Sequence, residues 1–381
     1  MSEPLSLAAV FRHYRKYVIL SLTISMLLVP LTDALIVQRD RNRSMVYGEL
    51  FWQLGLGVYG ISDHDLNVTY HVPADHMLTG VLNVTYEYPI VALLFYAVLA
   101  AVEPGMYGPS HYIANCVLVI IAHLNVVLFL CLSQGHWDKR WFKQLFWLYY
   151  FFTLSYAVGF GKAEPLADLF MLGSFVLMKQ GASWKANALL GVAVQTNVYP
   201  AQAFPVFFAA GPLASVWFVA SLLVLSLPLM AAGIGYSSLL AHLTNSPSYA
   251  TITTNPFYVG LAITNPVALV APALLVVAFL YCVLETKPLG RIRIPILKLR
   301  FTSLTTIFIF SLPLVLVFFS WVLIWYYSWF IPMALLLKTP EEMAKYRWMI
   351  VAILLAHFVG LALNPHYFLS GPLAEFLGHI R

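Results

Sequence analysis

YVILSLTISMLLVPLTDALIV, residues Tyr17 to Val37, runs directly into Gln38-Arg39-Asp40-Arg41-Asn42-Arg43. The apolar run is too long for a signal-peptide core, and its length matches the roughly 20 residues a helix needs to cross a bilayer. The basic flank before it, Phe11-Arg12-His13-Tyr14-Arg15-Lys16, marks it as a signal anchor with its start in the cytoplasm. Hydrophobic residues make up 61% of the 381 and charged residues 10%, against about 25% charged in a soluble domain. Mean hydropathy is +0.81. A soluble fold of this composition would expose apolar patches that drive association. Disorder is excluded by 26 Phe, 22 Tyr and 10 Trp, which supply ample surface to bury. The apolar residues run unbroken and do not alternate, which argues against a transmembrane β-barrel.

Working outward, further apolar runs cover about 88–102, 111–132, 142–160, 165–178, 187–209, 213–231 and 264–284. The run 302–337 is long enough for two spans, and a last run covers 347–363. The expectation is an all-α, polytopic integral membrane protein with roughly ten transmembrane helices. It forms a single membrane-embedded domain over residues 1–381, with 38–86 and 236–262 as first and second extracytoplasmic loops. Within the first loop, Val46 to Leu56, with Phe51 and Trp52, reads as an amphipathic juxtamembrane helix along the interface.

The net charge is +5. In this chain the basic residues sit in short loops and set topology, so no nucleic-acid partner is expected. Arg12, Arg15, Lys16 and the loop Lys287, Arg291, Arg293, Lys298, Arg300 should both be cytoplasmic, and eight spans between them satisfy this. Lys139, Arg140, Lys143, Lys179 and Lys185 then fall outside. Cys116, Cys131 and Cys282 lie inside apolar runs and predict no disulfide framework. Sequons occur at Asn42, Asn67 and Asn83, all in the first loop. Asp63, His64, Asp65, His71, Asp75 and His76 crowd that loop without a zinc spacing, so a solvated loop is expected and no metal. GxSxG, P-loop, HExxH and dinucleotide fingerprints are missing, which removes soluble-type hydrolases, NTPases and oxidoreductases. His123 and His357 read as hydrogen-bonded core residues.

Ionisable residues at membrane depth are functional hypotheses. Gly161-Lys162-Ala163-Glu164-Pro165-Leu166-Ala167-Asp168 sits between two apolar runs, with Glu164 and Asp168 on one helix face. It is either a solvated turn with Lys162 and Glu164 paired, or a polar site at the mouth of a cavity. Gln195-Thr196-Asn197-Val198-Tyr199-Pro200 interrupts an Ala, Val and Phe run. It is either a helix end at a cavity or a set of helix–helix hydrogen bonds. Glu87, in Tyr86-Glu87-Tyr88-Pro89, stands where the first loop re-enters the membrane.

Four of these segments, in order, resemble polyprenol-phosphate-sugar-dependent glycosyltransferases of the GT-C superfamily, the mannosyltransferase-like integral membrane family. The family's opening, a span followed by a charged turn and a Val-Tyr, is similar to Asp40 through Val46-Tyr47 and on to Gly57-Val58-Tyr59. Its Glu-Tyr-Pro-Pro before the second span resembles Glu87-Tyr88-Pro89-Ile90, and its acid opening a middle span resembles Glu164-Pro165-Leu166, with Lys179 and Lys185 after it. Its Gly-Leu-Ala-x-x-Thr-Lys-x-Tyr-Pro resembles Gly191 through Pro200. A fifth match, a Tyr-x-x-Trp-x-x-Pro pattern near the C-terminus, resembles Tyr326 to Pro332. Two positions depart. Where the family carries its catalytic Asp before the Val-Tyr, this chain has Arg43 and Ser44, and the family's Lys before Tyr-Pro is Asn197.

The resemblance implies an integral membrane hexosyltransferase that moves mannose or another hexose from a polyprenyl or dolichyl phosphate to a lipid or glycan acceptor. The site would face the extracytoplasmic side of the plasma membrane or its equivalent. Asp40 is the candidate base, with Glu49 as second choice. Arg39, Arg41, Tyr47, Glu87, Tyr88, Lys162, Glu164, Asn197 and Tyr199 would bind donor or acceptor. The Arg39/Arg41/Arg43 cluster and Lys162 would face the leaving phosphate. No resident cofactor is needed; a divalent metal is compatible but not indicated. Membrane lipids and the lipid-linked sugar are the expected partners, and a partner subunit is compatible. The alternatives are a non-catalytic GT-C-like scaffold, motivated by Arg43, Ser44 and Asn197, and a lipid or solute transporter. The transporter would show internal repeats, and none is evident.

Overall fold

The structure is a computed structural model. It describes residues 7–36, 38–73, 76, 84–104, 111–133, 136, 139–236, 255–263, 265–285, 292–294, 299–301, 304–319, 322 and 324–363. The described chain is helical apart from a two-stranded antiparallel ribbon and an isolated bridge. In order come α1 (Leu7–Leu35), α2 (Arg39–Leu54), α3 (Asp63–Val68), α4 (Ile90–Val102), α5 (Tyr112–Leu132) and α6 (Arg140–Leu154). α6 continues as a π-helical turn, Ser155–Phe160. Then follow α7 (Glu164–Lys179), α8 (Ser183–Val194), α9 (Phe204–Ala210), α10 (Val216–Ala231) and α11 (Val270–Glu285). β1 (Ile292–Ile294) pairs with β2 (Leu299–Phe301), and α12 (Leu304–Ser311) and α13 (Pro340–Leu363) are the last helices among the described residues.

Among the described residues, three helices are long and apolar enough to cross a membrane: Ala8–Leu35, Tyr112–Leu132 and Pro266–Leu284. Ile90–Val102, Val216–Ala231 and Leu304–Phe318 are apolar but shorter. Run 302–337, expected as two spans, instead breaks after α12 into short 3-10 segments. Pro313 and Pro332, at the first turns of two of these segments, lack the N–H that an α-helix interior needs. Run 187–209 breaks at Gln195 to Val198. The juxtamembrane helix begins at Arg39, seven residues before the expected Val46, and takes in the whole charged cluster.

The residues divide into two compact units. The first holds the described parts of Met1–Gln134 and Tyr150–Ser248. In it α1 runs antiparallel to α5. Ser21 Oγ meets His123 Nε2 at 2.8 Å, and Asn115 Nδ2 donates to Gln38 Oε1 at 2.9 Å, so the end of α1 lies at the start of α5. The Glu103 carboxylate, just past α4, accepts from the N–H groups of Ile113 (3.1 Å) and Ala114 (3.0 Å) at that same end. The chain therefore makes no net crossing between α1 and α5, and α4, 13 residues long and about 20 Å by helical rise, is no lone span.

α5 and α7 run parallel, because Asn125 Nδ2 donates to Pro165 O (2.6 Å) and Lys179 Nζ to Leu132 O. α8 returns, since Tyr199 reaches the start of α7. α10 runs parallel to α8, with Trp184 beside Trp217 and Gln195 beside Ser226. Arg12, Arg15, Lys16, Lys179 and Lys185 consequently share one end of this unit. That corrects the expectation that Lys179 and Lys185 lie opposite the N-terminal cluster, and the missing crossing at α4 is the reason.

Close helix approaches use small residues. A Cβ on Gly48 of α2 would come within 2.5 Å of the Tyr96 backbone in α4. A Cβ on Gly191 of α8 would come within 2.7 Å of Ser221 in α10. In the second unit, the described parts of Gly135–Tyr149 and Tyr249–Leu377, α13 opens on a capping box. Glu342 accepts from the N–H of Lys338 (3.0 Å) and Thr339 (3.1 Å), Thr339 Oγ1 accepts from Glu342 N–H (3.2 Å), and Pro340 opens the helix. Thr306 of α12 also donates to Glu342, and Tyr346 stacks on Phe310 at 5.5 Å. The Tyr326 to Pro332 segment belongs to this unit, where the Tyr327 hydroxyl meets His357 Nδ1 at 2.7 Å. His123 and His357 are thus hydrogen-bonded core residues. None of the three cysteines takes part in a disulfide among the described residues.

The α2–α4 contact yields a prediction. Gly48→Ala drives a methyl into main chain that cannot rotate away, and overpacking of this kind destabilises by about 1–3 kcal/mol. Gly60→Ala, in open space, is the control. Thermal unfolding in detergent should show a lower midpoint for Gly48→Ala alone; equal midpoints for the two would refute the close approach.

Candidate functional site

The site is built where α1 gives way to α2. Arg39, Asp40, Arg41 and Arg43 occupy the first turns of α2, where an acid is favoured by the helix dipole and three cations are not. The cations are accommodated by tertiary partners. Arg41 is fully buried; its Nη1 lies 2.7 Å from Asp33 of α1, and its Nε and Nη2 donate to Asn42 Oδ1 at 3.0 and 2.7 Å. Arg43, also buried, donates from Nε to Asp63 Oδ1 at 2.8 Å and from Nη2 to Thr85 O at 3.0 Å. Neither is a free clamp for a phosphate. Arg39 is half-buried, and its Nε has no hydrogen bond among the described residues.

Asp40 forms an ion pair with Lys162, 122 residues away. A left-handed turn makes the contact possible. The π-helical turn ends at Gly161 with φ +60, and its Tyr156 carbonyl accepts from Lys162 N–H at 3.0 Å. A Cβ on Gly161 would lie 2.8 Å from Arg41 Cβ and from Gln38 Oε1, so glycine is required by both conformation and space. Tyr96 of α4 donates to Gly161 O at 3.2 Å. The Lys162 side chain is 3% exposed and that of Asp40 18%, so the carboxylate is the solvent-facing member of the pair.

Glu164 opens α7 two residues later, buried, with Oε2 unbonded among the described residues and within the field of Lys162. One turn on, Asp168 accepts from the Tyr199 hydroxyl at 2.6 Å, and that hydroxyl lies 3.3 Å from Glu164 O. Asp40, Lys162, Glu164 and Tyr199 are thus brought together. Asn197 is buried in the turn after α8, its N–H on Ala193 O. Gln195 is a helix–helix connector. Its Nε2 donates to Ser226 Oγ (2.7 Å) and Leu222 O (3.2 Å), its Oε1 accepts from Tyr236, and its carbonyl accepts from Val91 N–H.

Glu49 is separated from Asp40. Nine residues on a helix amount to about 900°, the opposite face, and a rise of about 14 Å. Tyr47, Glu87 and Tyr88 belong to a second cluster around Arg43. The Tyr47 hydroxyl donates to Ile61 O (2.9 Å) and lies 3.2 Å from Asp63 Oδ1, with the Arg43 guanidinium 5.0 Å from its ring. Burial raises the Asp63 carboxyl and the Tyr47 hydroxyl above their ordinary values, while the Arg43 charge pulls both back. Burial also works against the Arg43 charge, but Asp63 more than compensates. Glu87 is half-buried within the field of this pair. Tyr88 accepts at its carbonyl from Tyr59 at 3.0 Å.

The loop acids weighed as metal ligands are committed elsewhere: Asp63 to Arg43, and Asp65 to Ser62 in the capping box of α3. Asp75 lies outside the described residues. Among those described, no three His, Cys, Asp or Glu gather to hold an ion. Sequence reasoning missed Asp33, Asp63 and Gln38 as partners, because a lone acid or amide in a loop carries no signal of what it will face. Comparison with protein-family models, curated proteins and solved structures gave no match in any of the three.

The Arg43–Asp63 pair gives a stability prediction. Removing one member of a buried pair strands the other and costs about 3–5 kcal/mol, whereas replacing both with apolar residues is often neutral. Arg43→Met should lower the thermal midpoint strongly, and Arg43→Met with Asp63→Leu should recover most of the loss. A double variant no better than the single would show that the pair is not self-contained.

Proposed function

We propose that the chain is a membrane-embedded glycosyltransferase of GT-C architecture with roughly ten spans, moving a hexose from a polyprenyl phosphate to a lipid or glycan acceptor. The observation that carries this reading is the Asp40–Lys162 ion pair, which joins the first helix of the loop to the turn before α7. A transferase using a lipid-phosphate donor needs a carboxylate to take the acceptor proton and a cation for the departing phosphate, side by side at a membrane face. Asp40 and Lys162 are such a couple, with Glu164 able to hold the Lys162 charge when Asp40 is engaged.

In the proposed step, the acceptor oxygen attacks C1 of the sugar while its proton passes to Asp40. The bond from C1 to the phosphate oxygen breaks, and lipid phosphate leaves toward Lys162 with the bonding electrons. Attack opposite the leaving group inverts C1. The end of the first unit that carries Arg12, Arg15, Lys16, Lys179 and Lys185 would face the cytoplasm by the positive-inside rule. The Asp40 end then faces outward, in the plasma membrane or its equivalent. The scaffold reading keeps one specific support. The residue standing where the resembling family has its catalytic acid, Arg43, is locked to Asp63 and is structural.

The test is transfer from polyprenyl-phosphate hexose by purified protein. Asp40→Asn retains a hydrogen-bonding partner for Lys162 and should fold. Its turnover should fall about 10²–10⁴-fold, or roughly 3–5 kcal/mol of barrier, with donor binding retained. Lys162→Met should weaken donor binding as well as turnover. Glu49→Gln, on the opposite helix face, should transfer normally. Full transfer by Asp40→Asn refutes the assigned base, and a folded wild type inert toward every lipid-phosphate sugar supports the scaffold.

A further inference from the structure

The three sequons are separated by the fold. Asn42 is 1% exposed, and its Oδ1 accepts two hydrogen bonds from Arg41, so in the folded chain its carboxamide is closed off. Asn83 lies outside the described residues. Asn67, Val68 and Thr69 are all exposed, Val68 at 55%.

The cause is the way α3 is anchored. Asp63 is drawn in by Arg43, and Leu66, one turn on, is fully buried beside Val46, Tyr47 and Leu50. Those two side chains anchor the helix, and Asn67, in its last turn, is left exposed together with Val68 and Thr69. α3 has six residues, far below the about 12–15 that persist in isolation, so the sequon is presented readily to an enzyme before the loop docks. Beyond Thr69 the chain reverses, with His71 at φ 52 and Val72 N–H on Leu66 O at 3.0 Å. The sequon therefore precedes an exposed turn on a segment tied to the outward end of α2.

We infer that Asn67 is a glycan attachment site, the glycan being an oligosaccharide carried on a polyprenyl diphosphate and transferred by a membrane oligosaccharyltransferase. The Asn67 carboxamide nitrogen bonds to C1 of the oligosaccharide as the bond from C1 to the diphosphate oxygen breaks. Lipid diphosphate leaves with the electron pair, and the nitrogen gives up one proton. This inference shares with the proposed function only the outward sidedness of the loop; here the chain is acceptor for another enzyme.

The experiment is peptide mapping and intact mass of the full chain made in glycosylating secretory membranes, before and after treatment with a peptide N-glycosidase. The wild type should carry a glycan on Asn67. Asn67→Gln and Thr69→Ala should lose it, while Thr69→Ser and Asn42→Gln should keep it. A membrane-inserted wild type with Asn67 unmodified, or with its glycan on Asn42, overturns the inference. Sugar transfer by Asn67→Gln should equal wild type, which keeps the two readings separable. A lost glycan leaves transfer intact, and an inert wild type bearing the glycan sinks only the transferase.

Discussion

Two guanidinium groups two residues apart are buried in this fold, and each must find a carboxylate outside its own helix. An unpaired charge out of water costs several kcal/mol, so Arg41 is bound back to Asp33 and Arg43 forward to Asp63. These pairs orient α2. One fixes it to the end of α1; the other draws in α3 and, through the Thr85 carbonyl, the chain approaching α4. With α2 held this way, Gly161 must be glycine because Arg41 and Gln38 fill the space a side chain would take. Lys162, the next residue, is then delivered onto Asp40.

The same accounting governs the remaining polar groups. Where water is excluded, each donor and acceptor has to be met by protein. Gln195 spends its amide on α10 and Tyr236, and His123 is bonded at one nitrogen to Ser21 and at the other to the Val119 carbonyl. In the second unit Asn255 bonds the Leu316 and Phe319 carbonyls, and Glu342 closes the start of α13. Several buried atoms nevertheless have no hydrogen bond among the described residues, Glu164 Oε2, both His111 ring nitrogens and Asn125 Oδ1 among them. Asp40, paired with Lys162, keeps 18% of its side chain exposed.

Much of the secondary structure could be read directly from the chain. The first helix, α5 and α11 follow from apolar runs of bilayer length, and α7 follows from Glu164-Pro165 at its start. The break at Gln195 to Val198 was visible as a polar interruption. Element starts were less legible. α2 was expected from Val46 because a charged cluster looks like a loop; it is helical from Arg39, with Arg41 and Arg43 paired to Asp33 and Asp63. α4 looked like a span by hydropathy, yet its far end returns to the start of α5, because Glu103 caps that helix.

By itself the sequence determined the helical character. A chain with 61% hydrophobic and 10% charged residues, in unbroken runs, folds as helices, which satisfy their own backbones, three of them among the described residues long and apolar enough to cross a membrane. It also supplied the short list of ionisable residues at run ends. The tertiary structure alone decided which of these meet. Hydropathy is a property of local windows, whereas Asp40 and Lys162 are joined across 122 residues by the packing of α2 against the Gly161 turn. Likewise, on sequence Glu49 is the second choice to Asp40 for one shared site. The helical period puts them on opposite faces, and the buried arginines settle which face meets Lys162.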